Sequence, residues 1–178
     1  MSTPSVMVRP ATAEDLDAIA DIHARARATY YEGHLPPEAY SGAAELERQR
    51  TGVEKAIASD TRVVLCAVRD GRVAGFAVLA ARQDEDKLFH FHVDPGLWRT
   101  GVGSALHRAC VSAWQDGGLT LARLEVFGPN ARARAFYARQ GWTEESAEDD
   151  HVTMALRIPE RAPFLTAIPS LIPEPGAE

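Results

Sequence analysis

Residues 93–104 read Val93-Asp94-Pro95-Gly96-Leu97-Trp98-Arg99-Thr100-Gly101-Val102-Gly103-Ser104. The preceding residues, 88–93, are mostly aromatic or β-branched and predict a short β-strand. Asp94-Pro95-Gly96 is a strong turn signal that ends this strand. The apolar residues after Thr100 recur at helical spacing, which predicts a helix over 101–116. The stretch is therefore expected to contain a strand, a glycine-bearing turn and the N-terminus of a helix.

A helix N-terminus after such a turn can bind an anion. The N–H groups of a first helical turn lack intrahelical acceptors and carry positive partial charge, which favours a phosphate there. Gly101 and Gly103 lack Cβ and let a ligand approach the backbone, and Arg99 can add a charged donor. The motif is not a P-loop, because no Gly-Lys-Ser/Thr follows. It is a poor dinucleotide fingerprint, because the third glycine is missing.

A second informative stretch lies about thirty residues further on. It follows a predicted strand, 119–127, that ends at Gly128-Pro129. Asn130 stands where a helix N-cap belongs, and Gly141 suits a helix C-terminus. Helical spacing places Asn130, Ala133 and Tyr137 on one face. The stretch reads Asn130-Ala131-Arg132-Ala133-Arg134-Ala135-Phe136-Tyr137-Ala138-Arg139-Gln140-Gly141-Trp142.

Together the two stretches resemble the GCN5-related N-acetyltransferase (GNAT) superfamily. Residues 98–103 are similar to its acetyl-CoA motif, Gln/Arg-x-x-Gly-x-Gly/Ala, except that Trp98 replaces the usual Gln or Arg. Residues 130–142 match its second motif, Asn-x-x-Ala-x-x-Phe-Tyr-x-x-x-Gly-Phe/Trp, without a gap. The resemblance is strongest from about residue 62 to 156. Before residue 62 it extends only to the order strand, helix, helix.

The resemblance implies an α/β (α+β) fold. A central mixed, mostly antiparallel sheet of six or seven strands is expected, flanked by about four helices and splayed between the fourth and fifth strands. A length of 178 residues fits one domain, here 1–158. Residues 159–178 are expected to form a Pro-rich C-terminal extension. Apolar residues in this extension favour docking on a neighbour, which leaves a homodimer open.

The resemblance also implies acetyl-CoA as cosubstrate. The pyrophosphate would contact the turn and the helix N-terminus, and the pantetheine arm would contact the end of the strand before it. Because Trp98 replaces Gln or Arg, phosphate recognition is left mainly to backbone N–H groups and Arg99. The expected binding residues are His92, Val93, Arg99, Thr100, Gly101, Val102, Gly103, Ser104, Asn130, Ala133 and Tyr137.

Direct acetyl transfer to an amine needs a general base and a general acid. The resemblance implies Tyr137 as the acid, and a phenol with a pKa of about 10 is protonated at pH 7. Glu125, five residues before Asn130, is the first candidate for the base. Some family members that acetylate protein N-termini carry a glutamate at this spacing. The structural alternative is that Glu125 only pairs with Arg123.

His90 and His92 are rival candidates for the base. They alternate with apolar residues and so share one face of the strand, where a strand buried on both faces is normally apolar. An imidazole pKa of about 6.5 suits a base near neutral pH. Many relatives have a glutamate near the start of this strand, where Lys87 stands here. No clear third ligand accompanies the two histidines in the sequence, so no metal is expected.

The acceptor amine is harder to predict. A loop expected at 30–37 contains Tyr30, Tyr31 and Glu32, and aromatic rings with a carboxylate suit a cationic ligand as well as ordinary packing. The leading hypothesis is acetyl transfer to a small-molecule or peptide amine. A non-catalytic acyl-CoA-binding module, another acyl group or a hydroxyl acceptor remain alternatives.

Composition restricts the remaining partners. A formal net charge of −6 argues against general nucleic-acid binding. The longest apolar run, 73–81, is too short to span a bilayer. Cys66 and Cys110 show no metal-binding spacing and are expected to be buried free thiols. Free thiols favour a reducing compartment, so a cytoplasmic location is expected.

Overall fold

The fold is known from a computed structural model that describes residues 4–162. Most of the expected C-terminal extension, and with it the expected docking on a neighbour, lies outside the described residues. The described part, residues 159–162, contacts the C-terminal end of the helix at 102–116. Gln115 donates a hydrogen bond to the Pro159 carbonyl at 2.8 Å, and Arg161 pairs with Asp116 at 2.6 Å.

Seven strands and five α-helices make up the described chain, with two short 3₁₀ helices at 13–15 and 95–97. The strands are β1 (Val6–Pro10), β2 (Val63–Arg69), β3 (Arg72–Leu79), β4 (Lys87–Val93), β5 (Leu121–Phe127), β6 (Thr143–Glu148) and β7 (His151–Arg157). The helices are α1 (Leu16–Tyr31), α2 (Pro37–Ser41), α3 (Ala43–Ala58), α4 (Val102–Asp116) and α5 (Ala131–Arg139).

All seven strands belong to one sheet, in the order β1-β2-β3-β4-β5-β7-β6. Every neighbouring pair is antiparallel except β4 and β5, which run parallel. These two strands pair only at Lys87 with Arg123 and at Leu88 with Leu124. Beyond Leu88 they separate and leave a gap inside the sheet. The expected mixed sheet, splayed between its fourth and fifth strands, is confirmed.

A bulge bends β4 next to this gap. Leu79 pairs with Leu88 whereas Val78 pairs with His90, so Phe89 is an extra residue without a partner on β3. A bulge of this kind bends a strand and increases its twist. It also brings His90 into register with Val78, which belongs to the core on the α1 side of the sheet. The bulge therefore sets which face the histidines occupy.

Helices cover both faces of the sheet. On one face α4 and α5 pack against a core centred on Trp114, whose indole donates a hydrogen bond to the Ala80 carbonyl at 2.9 Å. On the other face α1 and α3 pack against Phe76. Cys66 and Cys110 are buried and free, as the sequence predicted. Within residues 4–162, every helix is too short or too polar to cross a membrane.

The region before β2 differs from the sequence prediction in one respect. Helix α1 continues through Tyr31, so the expected loop at 30–37 shrinks to a turn over 32–36. The chain turns at Gly33, which has a φ of 82° and a conformation that glycine favours. Gly42 is extended and separates α2 from α3.

A buried carboxylate joins β1 to α1. Asp15 accepts hydrogen bonds from Arg9 at 2.8 and 2.9 Å and from the Thr12 backbone N–H at 2.8 Å. The Arg9 hydrogen bonds are the largest cause that lowers the pKa of Asp15 from 3.8 to about 2. Because the ionised form is favoured in the folded state, this carboxylate stabilises the fold at neutral pH.

Replacing Asp15 with Asn should lower the free energy of unfolding at pH 7 by about 2 kcal/mol, since one pKa unit corresponds to about 1.4 kcal/mol. The wild-type contribution should be complete above about pH 4 and disappear as the pH falls towards 2. Urea unfolding across this range measures both effects. Asp17→Asn is the control, because Asp17 is 88% exposed and its loss should cost less than about 0.5 kcal/mol. Equal losses in the two variants would contradict the assignment.

Candidate active site

A cavity of about 570 Å³ occupies the gap between β4 and β5. Its volume is typical of ligand-binding pockets, which span about 300–1,000 Å³. Residues from α1, α3, β4, α4, β5 and α5 line it. Both rival bases and the expected acid are among them. The predicted site residues that line the cavity are His90, His92, Val93, Arg99, Gly101, Gly103, Ser104, Glu125, Asn130, Ala133 and Tyr137.

The turn before α4 presents backbone N–H groups to the cavity end that we call the donor end, which comprises residues 98–104. The first intrahelical hydrogen bond runs from Ala105 N to the Gly101 carbonyl at 3.1 Å. The N–H groups of residues 102–104 therefore lack intrahelical acceptors, and no side chain caps them. Val102 and Thr100 can contribute only through this backbone geometry, because the Val102 side chain is in the core and the Thr100 hydroxyl donates to Leu97.

The two glycines of this turn have different roles. Gly101 has a φ of 92°, a left-handed conformation, and a Cβ there would meet no atom within 4 Å. A Cβ on Gly103 would lie 3.1 Å from the Phe136 ring. Both glycines line the cavity, and that they make room for a ligand stays a prediction. The missing side chain of Gly103 also lets α4 pack closely on α5.

Trp98 holds an arginine at the donor end. The Trp98 indole donates a hydrogen bond to the Val93 carbonyl at 3.2 Å. The Arg132 guanidinium carbon lies over the Trp98 ring, 3.2 Å from its centroid. Sequence reasoning missed Arg132, although it follows the N-cap Asn130 by two residues. Arg99, Arg132 and Arg139 all line the cavity. None of these three forms an ion pair within residues 4–162.

The edge of β4 that faces the gap is unpaired over most of its length. His92 and Val93 pair with Phe76 and Gly75 of β3 on one side only. On the other side β5 has already diverged, so backbone groups there have no strand partner. Buried backbone groups require a hydrogen-bonding partner. An extended ligand lying in the gap can supply one.

Helix α5 orients Tyr137 towards the gap. Asn130 caps the helix, because its side-chain oxygen accepts a hydrogen bond from Ala133 N at 3.2 Å. This confirms the predicted cap. The Tyr137 ring is buried against Phe91 and Trp142, at centroid distances of 6.1 and 5.9 Å. Burial is the main cause that raises the pKa of Tyr137 above its usual value, so its phenol is protonated at neutral pH.

We call the opposite end of the cavity the acceptor end. It comprises the lining residues of α1, α3 and β5 together with His90 and His92. Three histidines lie together there. His23 of α1 joins them, with its ring centroid 4.8 Å from each of theirs. Sequence reasoning missed His23 because no local motif connects α1 with β4. Burial is the largest cause that lowers the pKa of His23 to about 3 and of His90 to about 4. Both rings are therefore neutral at pH 7.

Glu125 is the single carboxylate among the described residues that line the cavity. Its side chain is 57% exposed and lies 3.5 Å from the Lys87 ammonium. Arg123, the alternative partner considered from the sequence, instead contacts Asp86 at 2.7 Å and Glu145 at 3.0 Å. Glu125 thus faces the acceptor end with a lysine, not an arginine, beside it.

The cavity, the open helix N-terminus and the splayed strands can be compared with known proteins. The chain matches the model of the acetyltransferase (GNAT) family over residues 19–142. The chain belongs to the GNAT acetyltransferase family. Membership confirms the family and the enzyme class expected from the two motifs. It makes the protein an acetyltransferase.

Relatives with curated names agree with this membership. An uncharacterised N-acetyltransferase of Mycobacterium tuberculosis is 28% identical over 129 residues, which cover 72% of this GNAT chain and 83% of the relative. The [ribosomal protein bS18]-alanine N-acetyltransferase of Escherichia coli is 32% identical over 100 residues, covering 51% of this chain and 68% of the relative.

Solved structures show the same fold. The PaiA N-acetyltransferase of Thermoplasma acidophilum, in complex with coenzyme A, has a TM-score of 0.79 at 18% identity, covering 86% of this GNAT chain and 99% of that one. YncA of Salmonella typhimurium, a structure with acetyl-CoA, has a TM-score of 0.65 at 17% identity and covers 89% and 96% of the two chains.

Replacing Gly101 with Ala should lower the free energy of unfolding by about 1–2 kcal/mol, because a left-handed conformation is costly for a residue with a Cβ. Urea unfolding measures the change. Gly52→Ala is the matched control, since Gly52 lies inside α3 with open space around it. Its replacement should raise stability by about 0.5–1 kcal/mol through helix propensity. A stabilised Gly101→Ala variant would show that the turn does not need glycine for its conformation.

Proposed function

We propose that this GNAT enzyme transfers the acetyl group of acetyl-CoA directly to a primary amine of a small molecule or peptide, with both substrates bound together. One observation carries the proposal. A single cavity is lined by the open N-terminus of α4, the unpaired edge of β4 and the Tyr137 phenol. Donor binding and acid catalysis would therefore occur in one continuous space.

In this proposal the cofactor lies along the gap. Its pyrophosphate accepts hydrogen bonds from the backbone at 101–104, and the guanidinium groups of Arg99 and Arg132 neutralise its charge. The pantetheine amides pair with the β4 edge at His92 and Val93, and Asn130 and Ala133 flank the arm. In this pose the thioester would lie beside the Tyr137 phenol.

The reaction follows from these positions. The neutral amine attacks the thioester carbon, a C–N bond forms, and the carbonyl oxygen becomes an oxyanion. The intermediate then collapses and the C–S bond breaks. Before the attack, a general base takes one proton from the arriving ammonium ion. Tyr137 donates its proton to the departing CoA sulfur, and the second proton lost by the nitrogen restores the Tyr137 phenol. Burial favours the neutral phenol, which suits a proton donor.

Glu125 is the base that we propose. An acceptor amine arrives mostly as an ammonium ion, with a pKa of roughly 10, and the lone carboxylate of the cavity attracts this cation. His90 and His92 remain the alternative, because they lie at the same end. Their burial disfavours the imidazolium form, so each would accept a proton less readily than an exposed imidazole.

The acceptor class is proposed from two facts. The E. coli relative is named for the alanine of a ribosomal protein, which suggests a peptide N-terminus. The acceptor end also includes Tyr30 and Tyr31 of α1, whose rings would pack against a small amine.

The first test is an assay of CoA release with polyamines, amino acids, aminoglycosides and peptides that begin with alanine. At least one acceptor should give turnover, with intersecting double-reciprocal plots that indicate a ternary complex. Tyr137→Phe should lower kcat by about 100-fold or more, since a general acid contributes that much. The KM for acetyl-CoA should change little, because the ring is retained.

Tyr40→Phe is the control for this test. Tyr40 is a buried tyrosine of α2 that does not line the cavity, so its variant should keep the wild-type kcat. A covalent acetyl-enzyme with ping-pong kinetics would contradict direct transfer. Acetyl-CoA binding without turnover across the panel would contradict the proposed acceptor class.

The base assignment has its own test in the pH dependence of kcat/KM. Glu125→Gln should lower kcat/KM by about 100-fold and abolish the acidic limb of the profile, because no carboxylate is left to accept the proton. His92→Gln should retain the limb. If the limb disappears in His90→Gln or His92→Gln but persists in Glu125→Gln, the base is a histidine.

A further inference from the structure

The three histidines of the acceptor end form a compact cluster that the proposed reaction does not require. His23 comes from the middle of α1, and His90 and His92 follow the bulge in β4. One nitrogen of each ring lies within 4.8 Å of the corresponding nitrogens of the other two. The sequence supplied two possible ligands, and the fold adds the third.

Ordinary packing does not explain these rings well. None of the three rings hydrogen-bonds to any residue among 4–162, so protein contacts do not satisfy their ring nitrogens. His107 shows the contrast, because it is buried and accepts a hydrogen bond from Trp142 at 2.9 Å. The three clustered rings instead line the cavity.

The spacing of the rings fits a shared ion. A tetrahedral zinc ion bound by imidazole nitrogens at about 2.0–2.1 Å keeps the ring centroids about 5 Å apart. The observed centroid distances are 4.8, 4.8 and 6.1 Å. The ligating nitrogens of such a site lie about 3.4 Å apart. Here they lie within 4.8 Å of one another, so rotation of the rings would bring them to the separation that the ion requires.

The charge of the surroundings also bears on an ion here. Burial keeps the rings neutral at pH 7, and neutral imidazole is the form that binds metals. Arg27, Lys87 and Arg132 are the cations that face the cluster. Glu45 lies 3.0 Å from Arg27 and Glu125 3.5 Å from Lys87, which offsets two of the three charges.

We propose that His23, His90 and His92 form a binding site for one divalent transition-metal ion such as Zn²⁺, with its fourth coordination position open to the cavity. Three nitrogen ligands select Zn²⁺, Co²⁺, Ni²⁺ or Cu²⁺ over Mg²⁺ and Ca²⁺, which prefer oxygen. The remaining positive charge of Arg132 favours an anionic fourth ligand such as hydroxide.

The test is metal titration of the full chain after treatment with a chelator, without acetyl-CoA. Co²⁺ should bind at one ion per chain and give the intense visible absorption of a tetrahedral site, and Zn²⁺ should displace it while Mg²⁺ should not. His23→Gln, His90→Gln and His92→Gln should each weaken binding by at least about 100-fold, since loss of even an outer-shell partner costs 10–100-fold. His34→Gln, which changes an exposed histidine outside the cavity, should bind as the wild type does.

Absence of saturable Co²⁺ binding would overturn the proposal, and so would binding that survives loss of each clustered histidine. If a Gln variant does not fold, X-ray absorption of Zn²⁺ on the wild-type chain decides the question. Three imidazoles in the first shell support the site, and one or none overturns it. Because the titration contains no acetyl-CoA, its failure would leave the proposed acetyl transfer untouched.

Discussion

The short pairing between β4 and β5 is the constraint on which the rest of the structure depends. Two residue pairs join the strands, and then the backbone groups of β4 have no neighbour on that side. Polar backbone groups cannot be left unpaired without cost. Because β3 and β7 hold the two strands on their outer sides, the gap is a stable interior edge and not a frayed end.

The parallel direction of the same pair places both helices. The carboxyl ends of parallel strands lie at the same edge of a sheet, and α4 follows β4 as α5 follows β5. The N-termini of both helices therefore open at the gap. This topology brings an anion-binding turn and the Tyr137 phenol to one cavity although more than thirty residues separate them in the chain. The close approach of the helices is possible because Gly103 lies against Phe136.

The donor end could be predicted from the sequence because its parts are local. A strand, a turn and a helix N-terminus within residues 88–104 specify their own geometry, as does the cap at Asn130. The acceptor end could not be predicted in this way. His23 reaches it from α1, and the bulge at Phe89 sets the face of the histidines. At the donor end, the contact between Arg132 and Trp98 escaped prediction for the same reason. These are long-range contacts, which helical or strand periodicity does not reveal.

The two ends also differ in charge, and this difference bears on how two substrates are sorted. Arg99, Arg132 and Arg139 line the cavity without an ionic partner among the described residues, whereas Glu125 is its single carboxylate. Within a low-dielectric cavity, such a separation acts over several ångströms. On the proposed function, it would attract a polyphosphate to α4 and a cationic amine to β5. On the proposed reaction, the cofactor and the acceptor would thus enter with the thioester and the amine facing each other at Tyr137.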